Sequence, residues 1–248
     1  MRAVLLGSGN THGIPAPGCT CVACVAAGNG SGPRRRPSCG VIRADAITVP
    51  IDAGLPGLAQ ALPDARDVLL THFHPDHVLG LVQGRHEFSG PVTVHCPDDC
   101  QRVHELATDP GRLRLRPVPP SKRFTIGPIA VIGVPLKHPV PTLGWLLEFG
   151  RRRLAWLTDT YDLDEGVAAF IRSWAPDTAV IDCSFAPEDP RAQAKQHNDL
   201  PMALSCLSRI QAKRGVLIHL DHSLQAHLIN RQPRLPAGVV VGEDGMEL

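Results

Sequence analysis

The chain has 248 residues, 43% of them hydrophobic, which is enough for one large core and permits a single domain over 1–248. Its 25 Lys+Arg against 24 Asp+Glu give a formal charge of +1, arguing against a general electrostatic footprint for nucleic acid or membrane. No run approaches the ~18 apolar residues that span a bilayer, and the opening apolar stretch Ala3-Val4-Leu5-Leu6 is shorter than the ~7–15 residues of a signal peptide, so the expected compartment is the cytoplasm.

Taken in chain order, residues 3–6 read as a first buried strand. Residues 7–38 are rich in Gly, Pro, Cys and Arg, and so long a loop inside a compact domain is expected to be functional or pinned. The chain holds eight cysteines and twelve histidines, and three of the cysteines fall in Cys19-Thr20-Cys21-Val22-Ala23-Cys24. Without an export signal, clustered cysteines are read as metal ligands rather than disulfide partners. Three close thiolates suit a tetrahedral structural zinc, which needs a fourth ligand. Cys39 is the nearest thiol and His222 is the alternative. The run Arg34-Arg35-Arg36 is either a solvated face or a contact for a substrate phosphate.

Short apolar runs rich in β-branched residues then recur at 47–51, 68–70, 92–94, 129–134, 143–149, 154–157, 179–181, 216–218 and 239–241, and are read as strands. Residues 164–174 carry Val167, Phe170, Ile171 and Trp174 at helical spacing. Residues 199–212 open with Asp199 and Pro201, an N-cap and first-turn pairing. Many strands with a few helices between them indicate a layered α/β fold, although the pattern alone does not say which.

The polar residues sit where rigid scaffolds present chemistry, at strand ends and in the loops after them. His72, His74, Asp76 and His77 follow the strand ending at Leu70. His138 follows 129–134, Asp159 follows 154–157 and His219 follows 216–218. Imidazoles and carboxylates bind Zn, Mn and Fe at about 2.0–2.2 Å, and a catalytic site leaves a position open for water. His72 and His74, two apart, can point the same way in an extended segment, with Asp76 and His77 turned to a second position. A carboxylate such as Asp159 can bridge two ions ~3.5–4 Å apart, the spacing of two-metal hydrolases. Thr71 is expected to orient these ligands from behind. His12, His86, His95, His104 and His227 are assigned to the surface or to packing.

The segment Thr71-His72-Phe73-His74-Pro75-Asp76-His77, with His138, Asp159 and His219 following in that order, resembles the signature of the metallo-β-lactamase superfamily over essentially the whole chain. The resemblance implies an αββα sandwich with the site at one edge of its two sheets. It implies that His72, His74 and His138 hold one divalent ion, that Asp76, His77 and His219 hold another, and that Asp159 bridges them. Gly7-Ser8-Gly9, Gly13-Ile14-Pro15, the C-x-C-x-x-C group, Gln196-His197-Asn198-Asp199 and the closing Gly245-Met246-Glu247-Leu248 resemble one subfamily, the phosphoribosyl cyclic phosphodiesterases of phosphonate breakdown. That likeness implies two catalytic ions (Mn or Zn), a structural zinc on Cys19, Cys21, Cys24 and His222, and a homodimer. Cys39, Cys96, Cys100, Cys183 and Cys206 are then packing or free thiols.

The same likeness gives His197 the part of general acid. There is an independent chemical reason: a phosphodiester releases an alkoxide, and a His with an ordinary pKa near 6.5 can protonate it at neutral pH. The implied partner is a small-molecule phosphodiester, with no nucleic acid and no membrane. Three other readings compete. A transfer-RNA maturation endonuclease shares the site but needs a basic, RNA-gripping surface. A protein of pyrroloquinoline quinone synthesis carries a similar cysteine loop, often with an incomplete metal site. A non-catalytic metal-binding module sits poorly with an intact ligand set.

Overall fold

The computed structural model describes residues 2–248, with Cys100 described in its backbone only; the Cys100 thiol therefore lies outside the described residues. One sheet has the order β1 (Arg2–Gly7), β2 (Cys39–Ala44), β3 (Ile47–Ile51), β4 (Asp67–Leu69), β5 (Val92–Cys96), β6 (Leu113–Pro117). The other runs from β7 (Arg123–Ile126) through β8 (Ile129–Leu136), β9 (Thr142–Phe149), β10 (Arg152–Leu157), β11 (Thr178–Asp182) and β12 (Arg214–Ile218) to β13 (Val239–Val241). Each sheet is antiparallel over its earlier strands and parallel over its later ones.

Alternation along the strands builds three cores from two sheets. Leu143, Trp145 and Leu147 of β9, Leu154 and Trp156 of β10 and Val180 of β11 meet Leu5, Ile42, Val49, Ile51 and Leu69 of the first sheet. Their neighbours point the other way. Val68 and Leu70 pack outward under α2 (Leu58–Ala61), α3 (Pro75–Gly84) and α4 (His104–Thr108). Leu146, Ala155, Leu157, Ala179 and Ile181 pack under α5 (Glu165–Trp174), α7 (Leu200–Ile210) and α8 (His222–Arg231). Helices thus cover the outer faces of two stacked sheets, the αββα sandwich the sequence implied. Two short helices complete the chain, α1 (Val22–Gly28) and α6 (Arg191–Lys195). Among the described residues no helix is long and apolar enough to cross a membrane.

The 7–38 loop is pinned by more than its cysteines. Arg35 is buried; it donates to Gln225 Oε1 and Ser8 Oγ at 2.9 Å each and also meets the Gly242 carbonyl. Arg36 pairs with Asp244. The arginine run therefore fastens the loop to the far end of the chain. Its central guanidinium is buried and spent inside the fold, and none of the three arginines lines the cavity beside His74 and His219, which argues against a substrate-phosphate contact.

Candidate metal centre

The parallel strands end on one edge of the sandwich, where open α/β sheets present their chemistry. β4 leads into His72 and His74. Pro75 then starts α3, a residue suited to a first helical turn because it needs no N–H partner there, and this turn carries Asp76 and His77. The start of α3 closes tightly onto the loop after β3, where an added Cβ on Gly54 would sit 1.9 Å from the Asp76 carbonyl. β8 leads to His138, β10 to Asp159, β11 to Asp182 and β12 to His219. His219 holds a left-handed backbone (φ 64), which costs a non-glycine residue about 1–3 kcal/mol and is kept by its surroundings.

These residues converge. The metal-capable atoms of His72, His74, His138 and Asp159 lie within 4.8 Å of one another, as do those of Asp76, His77 and His219. His72 Nε2 is 3.0 Å and His138 Nε2 3.1 Å from His74 Nδ1. Asp159 Oδ2 lies 3.5 Å from His72 Nε2, 3.3 Å from His77 Nε2 and 3.5 Å from His219 Nε2, between the two groups.

The surrounding hydrogen bonds say which nitrogens carry protons. The Thr71 hydroxyl donates to Asp52 at 2.8 Å, so its oxygen accepts from His72 Nδ1 at 3.0 Å. His138 Nδ1 faces the Gln196 carbonyl at 3.2 Å and must donate. Ser184 Oγ donates to Asp182 at 2.7 Å and accepts from His219 Nδ1 at 2.9 Å. Asp52 Oδ2, 2.9 Å from His77 Nδ1, draws the proton to that side. The Nε2 atoms of His72, His138 and His219 are then bare lone pairs facing other lone pairs and carboxylates, and the His77 Nε2 faces Asp159 Oδ2 at 3.3 Å. Only cations satisfy such a set, so the residues fit divalent ions. Thr71 stands behind the His72 ring; Asp52 stands behind His77, and Ser184, itself held by Asp182, behind His219, contacts the sequence did not disclose.

Electrostatics agree. Burial holds His72 well below the usual imidazole range and pushes His138 down to about 4, so both are neutral and ligand-ready. Burial also opposes a charge on His77, but Asp159, Asp52 and Asp76 overcome it and hold that ring protonated: a proton stands where a cation belongs. Asp76 is lowered to about 2 against its own burial, chiefly by the charge of His77 and the bond from His219.

His197 stands beside the cluster, stacked on His219 at 4.9 Å between ring centroids, with Nδ1 2.7 Å from Asp182 Oδ2. Burial works against its charge, yet Asp182, then Asp159 and Asp76, raise it to about 9. Its Nδ1 is engaged by Asp182, leaving Nε2 for the cavity of about 280 Å³ that His74, Asp76, Asp159, His197 and His219 line. His12, exposed as a surface residue is expected to be, also stands on the rim of that cavity. His95 does pack: it is buried, 2.7 Å from Asp67 and stacked on Phe124.

A second cluster joins Cys19, Cys21, Cys24 and His222. His222 Nδ1 lies 3.4 Å from Cys19 Sγ and 3.5 Å from Cys21 Sγ, matching the ~3.5 Å edge that Zn–S and Zn–N bonds of about 2.3 and 2.0–2.1 Å set in a tetrahedron. Although burial raises it, the Cys21 thiol falls to about 6 through the Cys24 backbone N–H and bonds from His222 and Cys19. Cys39, the other fourth-ligand option, is instead buried in β2 with its thiol on the Asp52 carbonyl.

The profile of the Beta-lactamase superfamily domain matches residues 49–220, more than half of the chain. The chain belongs to this family. Its two sheets and flanking helices are those of the metallo-β-lactamase fold. A crystal structure of a diphosphatase from the PhnP family superposes with a TM-score of 0.82 at 25% identity, over 100% of this chain and 97% of that one. An octanoyltransferase of Porphyromonas gingivalis (strain ATCC BAA-308 / W83) is 29% identical over 100% of this chain, which spans only 51% of that protein. Coenzyme PQQ synthesis protein B of Methylobacterium radiotolerans is 25% identical over 100% of this chain and 99% of its own length.

Proposed function

We propose that this metallo-β-lactamase-fold hydrolase is a binuclear phosphodiesterase that opens a phosphoribosyl cyclic phosphate to a ribose bisphosphate. The observation that carries the reading is the pair of donor groups meeting at Asp159, with an Asp182-held imidazole beside them on the open cavity. His72, His74 and His138 would hold one ion, Asp76, His77 and His219 the other, and Asp159 both. Bound there, divalent ions supply Lewis acidity toward phosphoryl oxygens and lower the pKa of a water to near neutrality. The chain's own part is to orient and to move a proton. Asp182 fixes the His197 ring and keeps it protonated, and Nε2 gives that proton to the departing sugar oxygen. Ser184 and Thr71 hold the ligand rings in the tautomers the ions need. The diphosphatase likeness supports phosphorus chemistry; the octanoyltransferase, matched over half its length, contributes no step.

The test is turnover of phosphoribosyl cyclic phosphate beside an aryl phosphodiester with added Mn or Zn, and His74→Ala as control. Preference for the sugar diester, lost in the control, supports the reading. Activity on the aryl ester alone removes the substrate assignment. His197→Ala is expected to slow turnover with metal content kept; since Asp159, Asp182, His197 and His219 also sit within ligand distance of one another, lost metal would make His197 a ligand instead. A second reading, a role in coenzyme PQQ synthesis, is favoured by the full-length match to that protein in both directions. Inactivity on both esters by a fully metal-loaded preparation would select it.

A further inference from the structure

The mouth of the catalytic cavity carries side chains that neither donor group uses. Its rim includes Thr11, His12 and Lys195. The first two are held in place from beneath. Asn10 N–H donates to the Leu220 carbonyl at 3.2 Å, Asn10 Nδ2 to Asp221 Oδ2 at 3.0 Å, and Asn10 Oδ1 accepts the His12 N–H at 3.1 Å. This stretch is therefore fastened to the same turn that bears His219 and His222. Lys195 ends α6, and Gln196 then reverses the chain in a left-handed conformation (φ 54), so that Lys195 and His197 line one cavity. The Lys195 side chain is exposed and forms no hydrogen bond or ion pair with any described residue. Arg191, at the other end of the same helix, is occupied by Asp189, Asp221 and Ser223.

Charge decides what such a rim is for. Asp52, Asp76, Asp159 and Asp182 together carry as much negative charge as two divalent ions carry positive, and the one cation left over, His197, is already paired with Asp182 at 2.7 Å. The loaded centre would then attract little beyond the oxygens that touch it, and interactions across water fade steeply. An anionic group elsewhere on the substrate needs its own cation. Among the described residues, Lys195 is the one Lys or Arg lining this cavity. An ammonium on a flexible stem suits a phosphate monoester as a point charge, with hydroxyl and imidazole donors beside it.

We propose that Lys195, with His12 and Thr11 on the same rim, recognises a phosphate monoester that the substrate carries apart from the reacting diester. This rests on the phosphodiesterase reading and adds to it the residues that hold the substrate's second, terminal phosphate. Lys195 thereby sets specificity without touching the reacting atoms.

The experiment has a binding arm and a kinetic arm. Calorimetry on the metal-loaded protein compares ribose 5-phosphate with inorganic phosphate, the latter reporting on the ions alone. Lys195→Ala is expected to weaken ribose 5-phosphate about tenfold to a hundredfold, Lys195→Glu further, with Lys195→Arg restoring most of it and inorganic phosphate following none of these changes. Kinetics then compares phosphoribosyl cyclic phosphate with the same diester lacking the terminal phosphate. The preference for the phosphorylated form is expected to collapse in Lys195→Ala through KM rather than kcat. Equal weakening of both ligands, or of neither, overturns the proposal. Inactivity of the wild type on both diesters would sink the phosphodiesterase reading, while the calorimetric comparison still decides the rim.

Discussion

Replacing Asp182 by Asn tests how the centre handles its proton. Asp182 is fully buried; Oδ2 accepts from His197 Nδ1 at 2.7 Å and from the Thr160 N–H at 3.1 Å, and Oδ1 accepts from Ser184 Oγ at 2.7 Å. An Asn with its oxygen toward His197 keeps both N–H donors satisfied. Its amide then donates to Ser184, whose hydroxyl can turn to the His219 carbonyl 3.0 Å away. The substitution thus removes charge while keeping shape. A hydrogen bond to a charged partner contributes about 1.5–3 kcal/mol, which at 1.36 kcal/mol per unit lowers the His197 pKa by about one to two units. With Asp182 in place His197 is raised to about 9, and NMR titrations of the metal-stripped proteins should find it about one to two units lower in Asp182→Asn than in wild type. Stability follows with a definite sign. A folded pKa raised from 6.5 to about 9 gives stability that is fully present below pH 6.5 and lost as pH rises through 9. The Tm gap between wild type and variant should therefore narrow between pH 6 and 9.5. In the loaded enzyme, turnover of an alkyl diester should fall about a hundredfold, and that of an aryl diester with a good leaving group far less. An unchanged titration, or equal losses on both esters, would refute the reasoning.

Other consequences can be measured directly. Asp52→Asn removes the charge facing His77 Nδ1 at 2.9 Å and should weaken binding of the second ion about 10–100-fold in a metal titration, with the fold kept by circular dichroism. Cys21→Ser should abolish one zinc per chain and lower Tm; because His219 and His222 share one turn, the catalytic ions should also bind less tightly. Gly54→Ala forces a Cβ against the Asp76 carbonyl 1.9 Å away, so α3 must shift, with a predicted loss of about 1–3 kcal/mol in denaturant unfolding and a drop in metal affinity.

What could be read from the sequence followed periodicity and spacing. Strands 239–241 and 47–51 appear as expected because their apolar runs are short, β-branched and bounded by turns. The helix from Leu200 carries the cap foreseen for it, Asp199 accepting the Met202 N–H at 2.9 Å. β2 escaped notice because Cys39-Gly40 and Arg43 interrupt its pattern, although Gly40 is what lets the Trp156 ring approach. β6 alternates Leu with Arg, and α3 hides inside the ligand motif, where histidines mask its apolar face. At the site, the metal-capable residues that converge, in the motif order, were legible because their chemistry is carried by residue type. Asp52, Asp182 and Ser184 were not, since one Asp or Ser among many shows its purpose only when its partner is in place. The place of His12 on the cavity rim was not legible either, since it depends on Asn10 being tied to Asp221 across the fold.

The central claim, two catalytic ions sharing Asp159 beside a separate thiolate zinc, is tested most directly by counting metal in purified wild type and Asp159→Ala by native mass spectrometry. Three ions in the wild type and a single retained zinc in the variant are predicted; one ion per chain in the wild type, or a variant that keeps all three, would contradict the account.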